Sequence, residues 1–188
     1  MRLKKIPFIL VMVPPILLCL TSCQAQPNEP SNVQKIIIIR HAEKPPQGDN
    51  LSCAGLNRAF QLPAVLDKKA GNVNIIFVPS LKMGKSTGVA RMYQTVVPYA
   101  VKHNLYINTK YDVDDIDGLV RGLKTQRGIV LVVWEHKHIH KLLKALGIDS
   151  PDKWDDNDFD SMWIVDYKDG KPSLIKDREG ISPVPNCQ

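Results

Sequence analysis

Short apolar runs alternate along the chain with longer amphipathic stretches. The runs KIIIIR, VNIIFVP and GIVLVVWE are nearly continuous and rich in β-branched residues, which is typical of strands buried on both faces of a sheet. SMWIVDY alternates apolar and polar positions, and KPSLIKD is suited to a strand at the sheet edge. Because these runs alternate with helical segments, the pattern predicts a three-layer α/β/α domain around a mostly parallel central sheet.

Four intervening segments have the composition of helices. Two of them contain a proline, Pro63 and Pro98, at which we expect the helix to be interrupted. A third, DDIDGLVRGLKTQ, opens with acidic residues, which favour a helix N-terminus. The fourth, HKHIHKLLKALG, ends on Gly147, a residue type that commonly follows the last turn of a helix.

The start of the chain has the layout of a secretory signal peptide. Basic residues precede the apolar run IPFILVMVPPILLCL, which is short for a membrane span and is interrupted by two prolines. The following Leu20-Thr21-Ser22-Cys23 resembles the lipobox of bacterial lipoproteins, in which cleavage leaves the cysteine as an acylated N-terminus. Plain secretion, with Cys23 unmodified, is the alternative.

This layout predicts three parts. Residues 1–22 are expected to be a lipoprotein signal peptide, residues 23–33 a flexible polar tether, and residues 34–188 the folded domain. The protein would then be exported and held by acyl chains on a membrane surface of the bacterial envelope, in the periplasm or at the cell surface.

Charge narrows the choice of partner. The chain carries 25 basic and 19 acidic residues. Removal of Arg2, Lys4 and Lys5 with the signal peptide leaves 22 basic residues against the same 19 acidic ones. This mild excess argues against nucleic-acid binding, which needs a concentrated basic face, but it can still favour anionic substrates.

The cysteines are consistent with export. Cys19 falls in the signal peptide and Cys23 is the expected lipidation site, which leaves Cys53 and Cys187. These two are a candidate disulfide in a compartment that permits oxidation, although two unpaired thiols fit the sequence equally well.

Reactive residues follow two of the predicted buried strands. Arg40, His41 and Glu43 come directly after the first strand, and Glu135-His136 follows the later run GIVLVVWE. The carboxyl ends of parallel strands open on the same rim of a sheet, where ligands bind. We therefore expect the two histidines to meet there.

The segment RHAEK after a buried strand resembles the first motif of the histidine phosphatase superfamily, which is phosphoglycerate mutase-like in fold and whose commoner form is Arg-His-Gly. Arg91 in RMYQT and His136 after its strand extend the resemblance over nearly the whole domain. It implies that His41 attacks phosphorus, that Arg40 and Arg91 hold phosphate oxygens, and that His136 completes the pocket.

Elementary chemistry supports these roles. A neutral imidazole is a competent nucleophile, and guanidinium groups match phosphate oxygens bidentately. The expected activity is that of a phosphomonoesterase with a phosphohistidine intermediate, acting on a phosphorylated small molecule or envelope component without metal or cofactor. The alternative is a non-catalytic protein that binds phosphorylated envelope sugars or other anions with the same pocket.

One departure from the family pattern affects the clamp. The family usually places a serine four residues before the second arginine, whereas Ser80 lies eleven residues before Arg91. The longer intervening loop suggests that Lys82, Lys85 or Ser86 borders the substrate.

The residue that protonates the leaving group is open at this stage. The family often supplies an acid from the middle of the chain. The candidates are Glu43, Asp112 and Glu135, with Asp114 and Asp115 beside them. A further acidic segment is interpreted as a solvated turn, although it can orient a group of the pocket; it contains Asp155, Asp156, Asp158 and Asp160.

A nucleotide-binding loop competes for one segment. Gly84-Lys85-Ser86 follows a predicted strand, as in a P-loop. The full signature needs a glycine five residues before Gly84, and that position is Pro79, which lacks an amide donor. A P-loop is therefore disfavoured.

A zinc site competes for another segment. His136, His138 and His140 would share one face of a strand, as ligands require. The amphipathic continuation HKLLKALG favours a helix instead, on which His138 and His140 would be surface residues, so no metal is expected.

Overall fold

The structure, a computed structural model, describes residues 32–82, 89–149 and 151–187. The expected signal peptide, Cys23 and most of the tether lie outside these residues, as do Lys85 and Ser86. The elements are β1 (Asn32–Arg40), α1 (Cys53–Lys69), β2 (Val73–Phe77), α2 (Ala90–His103), β3 (Ile107–Asn108), α3 (Ile116–Lys124), β4 (Arg127–Trp134), α4 (His136–Ala145), β5 (Ser161–Lys168) and β6 (Lys171–Arg178).

The strands form one sheet in the order β3-β2-β4-β1-β5-β6. The first four of these strands run parallel, whereas β5 is antiparallel to β1, and β6 is antiparallel to β5. In the register of β1 with β4, Arg40 is paired with Trp134. The residues that follow these two strands therefore emerge side by side at the carboxyl edge of the sheet.

Both faces of the sheet are buried, as the continuous apolar runs predict. Along β1, Ile36 and Ile38 point into one core, with the apolar residues of α3 and α4, while Ile37 and Ile39 point into a second core, with those of α1 and α2. Successive side chains of a strand alternate between faces, so a strand between two helical layers needs apolar residues at every position. The predicted three-layer α/β/α architecture is confirmed.

The two internal prolines do not break their helices, so that expectation was wrong. The helix α1 runs unbroken through Pro63, and α2 runs unbroken through Pro98. A proline inside a helix costs about 3 kcal/mol. In α1 the fully buried neighbours Leu62 and Leu66 anchor the helix on the sheet on both sides of the proline, and this packing outweighs the lost hydrogen bond.

Local capping defines the ends of the helices near the rim. The Ser52 side chain accepts a hydrogen bond from the Gly55 N–H at the start of α1, and Asp115 does the same for the Gly118 N–H in α3. Gly147 follows α4 with a φ of 92°, which is the left-handed conformation that glycine tolerates best.

A disulfide joins the start of α1 to the C-terminal segment. It links Cys53, the first residue of α1, to Cys187 near the C-terminus. The Asn57 side chain, one turn further along α1, donates hydrogen bonds to the carbonyls of Val184 and Asn186. The C-terminal segment is therefore fastened along α1. Within the described ranges, no helix combines the length and the apolar character needed to cross a membrane.

Candidate active site

His41 lies directly beyond β1 with 4% of its surface exposed. Its Nδ1 is 2.7 Å from the Ala42 carbonyl oxygen, which can only accept, so Nδ1 carries the proton. The lone pair of the neutral ring is then on Nε2. Burial lowers the pKa of His41 to about 4, and the charges of Arg40 and Arg91 act in the same direction against the opposing effect of the Ala42 bond. The ring is therefore an uncharged base at neutral pH.

Arg40, the last residue of β1, is held by a loop distant in sequence. Its Nη1 donates to the carbonyls of Asp155, Asp156 and Asp158 at 2.8–3.3 Å. Its guanidinium carbon lies 3.9 Å from the centre of the Phe159 ring. The buried Nε has no hydrogen-bond partner among the described residues, so this N–H donor is left unsatisfied.

Burial of Arg40 also affects its pKa. Desolvation lowers this pKa to about 10, although the nearby carboxylates, first Glu135 and then Asp156, oppose the change. At neutral pH the guanidinium therefore stays charged beside His41.

Arg91 lies in the first turn of α2 and is half-buried. Its guanidinium donates to the carbonyls of Gly48 and Asn50, in the loop that follows the first motif. Its charge also acts to lower the pKa of His41. The structure therefore brings the second expected clamp residue to the same rim.

The sequence motif around Arg91 has a second role that sequence reasoning missed. Thr95, one turn further along α2, is buried, and its Oγ1 accepts a hydrogen bond from the Ala42 N–H at 2.9 Å. The same hydroxyl donates to the Arg91 carbonyl at 2.8 Å. Gln94 binds Asn50 and the Leu51 N–H. Through these contacts α2 fixes the backbone on which His41 sits.

His136 is the first residue of α4 and has 7% of its surface exposed. Its ring centre lies 6.2 Å from that of His41, with the planes at 75°. Its Nε2 is 2.8 Å from an Asp156 carboxylate oxygen. Its Nδ1 lies 3.1 Å from Glu135 Oε1, but the orientation is too poor for a hydrogen bond. The two predicted histidines thus face each other across a gap of a few ångströms.

Two of the candidate proton donors are engaged elsewhere. Glu43 accepts three hydrogen bonds from Arg58 at 2.9–3.0 Å. Burial alone would raise the pKa of Glu135, but the contacts with His136 and His138 outweigh it and lower that pKa to about 2. The lowered pKa keeps the Glu135 carboxylate ionised, and the Glu43 carboxylate is occupied by Arg58, so neither is well placed to protonate a leaving group.

The central acids and the flanking lysine lie further out. Asp112 is exposed, Asp114 pairs with His138 at 3.0 Å, and Asp115 caps α3. Lys82 is exposed, and its N–H donates to the Ser80 hydroxyl at 3.3 Å. None of these four side chains has a described contact with either motif histidine.

The interpretation of the acidic segment as a solvated turn was wrong in one respect. Its side chains are largely exposed, yet its backbone binds Arg40 and its Asp156 carboxylate binds His136. The ring of Phe159, at its end, lies 6.0 Å from the His41 ring. The segment from Asp155 to Phe159, here called the acidic loop, is therefore one wall of the site.

His138 and His140 lie on a helix, as expected. His138 is only 21% exposed, however, because its ring bridges the carboxylates of Glu135 and Asp114 at 2.8 and 3.0 Å. His140 lies towards the surface of α4, near the Asp152 carbonyl. In the part of the chain that the structure describes, no cluster of His, Cys, Asp or Glu side chains is arranged to hold a metal ion.

A buried ionic cluster lies next to the site and supports it. Arg58 on α1 is 4% exposed and binds Glu43, Glu179 and Asp160. Burial raises the pKa of Glu179 to about 7, although Arg58 opposes this. Burial alone would lower the pKa of Arg58, but Glu43 and Glu179 outweigh it and raise that pKa. The cluster ties the backbone after β1 to the segments that flank β5 and β6.

The parallel strands, the helices on both faces and two histidines at the carboxyl edge define a phosphoglycerate mutase-like fold, the fold of the histidine phosphatases. The protein histidine phosphatase SixA, solved in complex with tungstate, matches 77% of this chain and 97% of its own at 15% identity, with a TM-score of 0.58. A phosphoserine phosphatase mutant from Entamoeba histolytica, in complex with phosphoserine, matches 78% of this chain and 96% of its own at 15% identity, with a TM-score of 0.52.

A mycobacterial glucosyl-3-phosphoglycerate phosphatase, in complex with inorganic phosphate, matches 77% of this chain and 95% of its own at 17% identity, with a TM-score of 0.51. Neither the protein-family models nor the curated proteins include a match to this chain. At these identities the structural likeness establishes the fold, and the predicted fold is confirmed.

Proposed function

We propose that this protein is a phosphomonoesterase of the histidine phosphatase superfamily that forms a phosphohistidine on His41. The observation that carries the proposal is the state of that side chain. It is buried, its Nδ1 proton is engaged by its neighbour's carbonyl, and the charges of Arg40 and Arg91 both act on its ring. Solved proteins of the same fold bind tungstate, inorganic phosphate or phosphoserine, which are all tetrahedral oxyanions or carry one.

The surrounding groups suit the charge of the reaction. A phosphomonoester brings two negative charges, and phosphoryl transfer depends mainly on positioning and on stabilising that charge. The unsatisfied Nε–H of Arg40 is a donor in reserve for a phosphate oxygen, and Arg91 and His136 can bind others after exchanging their present partners. Attack by Nε2 then gives a covalent intermediate that water hydrolyses, which divides one difficult step into two.

Trapping the intermediate tests this proposal. Rapid mixing with a labelled aryl phosphate, followed by alkaline quenching, should give an acid-labile phosphate on His41, located by mass spectrometry. His41→Ala should lose the label and at least about 1,000-fold in kcat/KM, since the covalent route is removed. The matched control is His140→Ala on the outer side of α4, which should behave as wild type.

The same experiment separates catalysis from binding. A non-catalytic anion-binding protein on this fold would bind tungstate or phosphate yet show no label and no turnover, in wild type and variant alike. Turnover that persists in His41→Ala would equally overturn the proposed mechanism.

We further propose that the enzyme works outside the cytoplasm, tethered to a membrane by lipid on Cys23. The lipobox-like sequence motivates this, and the Cys53–Cys187 disulfide supports it, because such bonds persist in oxidising compartments. When extracted from cells with a phase-separating detergent, the wild-type protein should partition into the detergent phase, whereas the Cys23→Ser variant should stay in the aqueous phase. Equal partitioning of the two would refute the anchor.

A further inference from the structure

The proposed reaction needs an acid that none of the sequence-based candidates supplies well. An alcohol is a poor leaving group as an alkoxide, so its oxygen must receive a proton as the bond to phosphorus breaks. The donor must lie beside the two motif histidines and must be free of a permanent cationic partner, since an ion pair holds a carboxyl group in its ionised form.

Most other carboxylates at this rim are already occupied, either by a cationic side chain or by several hydrogen-bond donors. Glu43 is bound by Arg58, and Glu135 accepts hydrogen bonds from the Lys137 N–H and from His138. Within and next to the acidic loop, Asp160 is paired with Arg58 and Arg178, while Asp158 accepts hydrogen bonds from Ser161 and the Asp160 N–H. These groups maintain the structure.

Asp156 contacts one of the two histidines, His136, and is free of such a cationic partner. Its side chain is 76% exposed, and its one described side-chain contact is with His136 Nε2, at 2.8 Å. No lysine or arginine side chain pairs with it among the described residues. The nitrogen it contacts is the one that an incoming phosphate oxygen would use, so a bound substrate would separate the two groups and leave the carboxyl group against the substrate.

The backbone of the acidic loop fixes this position. The Asp156 backbone carbonyl accepts a hydrogen bond from Arg40 Nη1 at 2.8 Å. The residue that carries the carboxylate is therefore bound to the proposed phosphate clamp. Phe159 packs against both Arg40 and the His41 ring. The Asp156 carboxylate therefore extends from a loop that Arg40 and His41 themselves hold in place.

We propose that Asp156 is the general acid of the reaction, an assignment that rests on the proposed function. In the first step His41 Nε2 bonds to phosphorus, the phosphorus–oxygen bond breaks with its electron pair going to the leaving oxygen, and the Asp156 carboxyl proton is transferred to that oxygen. In the second step a water oxygen bonds to phosphorus, its proton returns to the Asp156 carboxylate, and the phosphorus–nitrogen electron pair returns to His41. The products are an alcohol and inorganic phosphate.

Dependence on the leaving group tests this assignment. For Asp156→Asn, kcat/KM should fall by about 100-fold or more with an alkyl substrate such as glycerol phosphate, whose oxygen must be protonated. It should fall by no more than about 3-fold with dinitrophenyl phosphate, whose phenolate leaves without a proton. The ratio kcat/KM is the right quantity because it reports the step that phosphorylates His41. Asp156→Glu, which keeps a carboxyl group, should recover part of the alkyl activity.

The control is Asp169→Asn in the turn between β5 and β6, which should match wild type on both substrates. Equal losses on the two substrates in Asp156→Asn would make the residue a support for His136 and overturn the assignment. So would the leaving-group signature appearing in Asp112→Asn instead. A wild-type protein that hydrolyses neither substrate would overturn the proposed function itself, and the assignment with it.

Discussion

At the scale of single residues, the buried neutral state of His41 has a measurable consequence for stability. Burial lowers its pKa from 6.5 to about 4, so between these values the unfolded chain binds a proton that the folded protein does not. The contribution of His41 to the free energy of unfolding is therefore complete above pH 6.5 and is lost as the pH falls. Relative to His41→Gln, the wild type should lose on the order of 3 kcal/mol of unfolding free energy from pH 6.5 to pH 4.

Urea unfolding of the two proteins across this range gives the measurement. The difference between them is the useful quantity, because Glu179 titrates in the same range with the opposite sign. Its raised pKa of about 7 means that the folded protein holds a proton there that the unfolded chain has released. Parallel stability curves for wild type and His41→Gln would show that folding leaves the pKa of His41 unchanged and would contradict the effect of burial described above.

At the scale of elements, Arg58 joins four segments. It extends from α1 to Glu43 after β1, to Asp160 before β5, and to Glu179 after β6. Arg58→Met keeps the volume but leaves buried carboxylates without their cation, which should cost about 3–5 kcal/mol of unfolding free energy. Arg178→Met is the matched control, because that residue pairs with Asp160 but is 68% exposed, and it should cost no more than about 1 kcal/mol.

Chemical denaturation of both variants checks this prediction. The reason for the difference is desolvation, since the two arginines share one carboxylate partner and differ in burial. Similar losses in both variants would mean that the cluster acts as surface charge and does not hold the segments around the site together.

The elements were predictable where the local pattern and the tertiary environment agree. The runs that became β1, β2 and β4 are apolar at successive positions because helices cover both faces, and Arg40-His41 and His136 could be placed at one rim because they follow parallel strands. The strand β3 has only two residues and leaves no periodic signal. The expected breaks at the two prolines were wrong because packing on the sheet outweighs the local tendency of proline to interrupt a helix.

Contacts between distant segments could not be predicted from the sequence, for a different reason. Arg40 is bound by backbone carbonyls 115 or more residues away, and a carbonyl is present at every position whatever its side chain. The acidic composition of that loop suggested solvent, and only its position over β1 shows otherwise. The pairing of Glu43 with Arg58 likewise depends on how the start of α1 packs against the segment that follows β1.

At the scale of the whole molecule, one covalent bond closes almost the entire domain. The disulfide joins residues 134 positions apart, and the C-terminal segment it holds also receives hydrogen bonds from Asn57 and Arg58. A cross-link over so long a loop restricts the unfolded chain strongly, and removal of a native disulfide typically costs 2–5 kcal/mol. Here the restriction also keeps Glu179, and with it the Arg58 cluster, close to α1.

Reduction should therefore lower the unfolding free energy of the wild type by about 3–5 kcal/mol, measured in urea with and without a thiol reductant. The double variant Cys53→Ser/Cys187→Ser should have that lower value under both conditions, because it has no bond to reduce. If reductant left the wild-type midpoint unchanged, the bond would contribute nothing to stability. Since a reducing compartment would keep the two thiols from bonding, we expect the protein to reach its full stability only in an oxidising one.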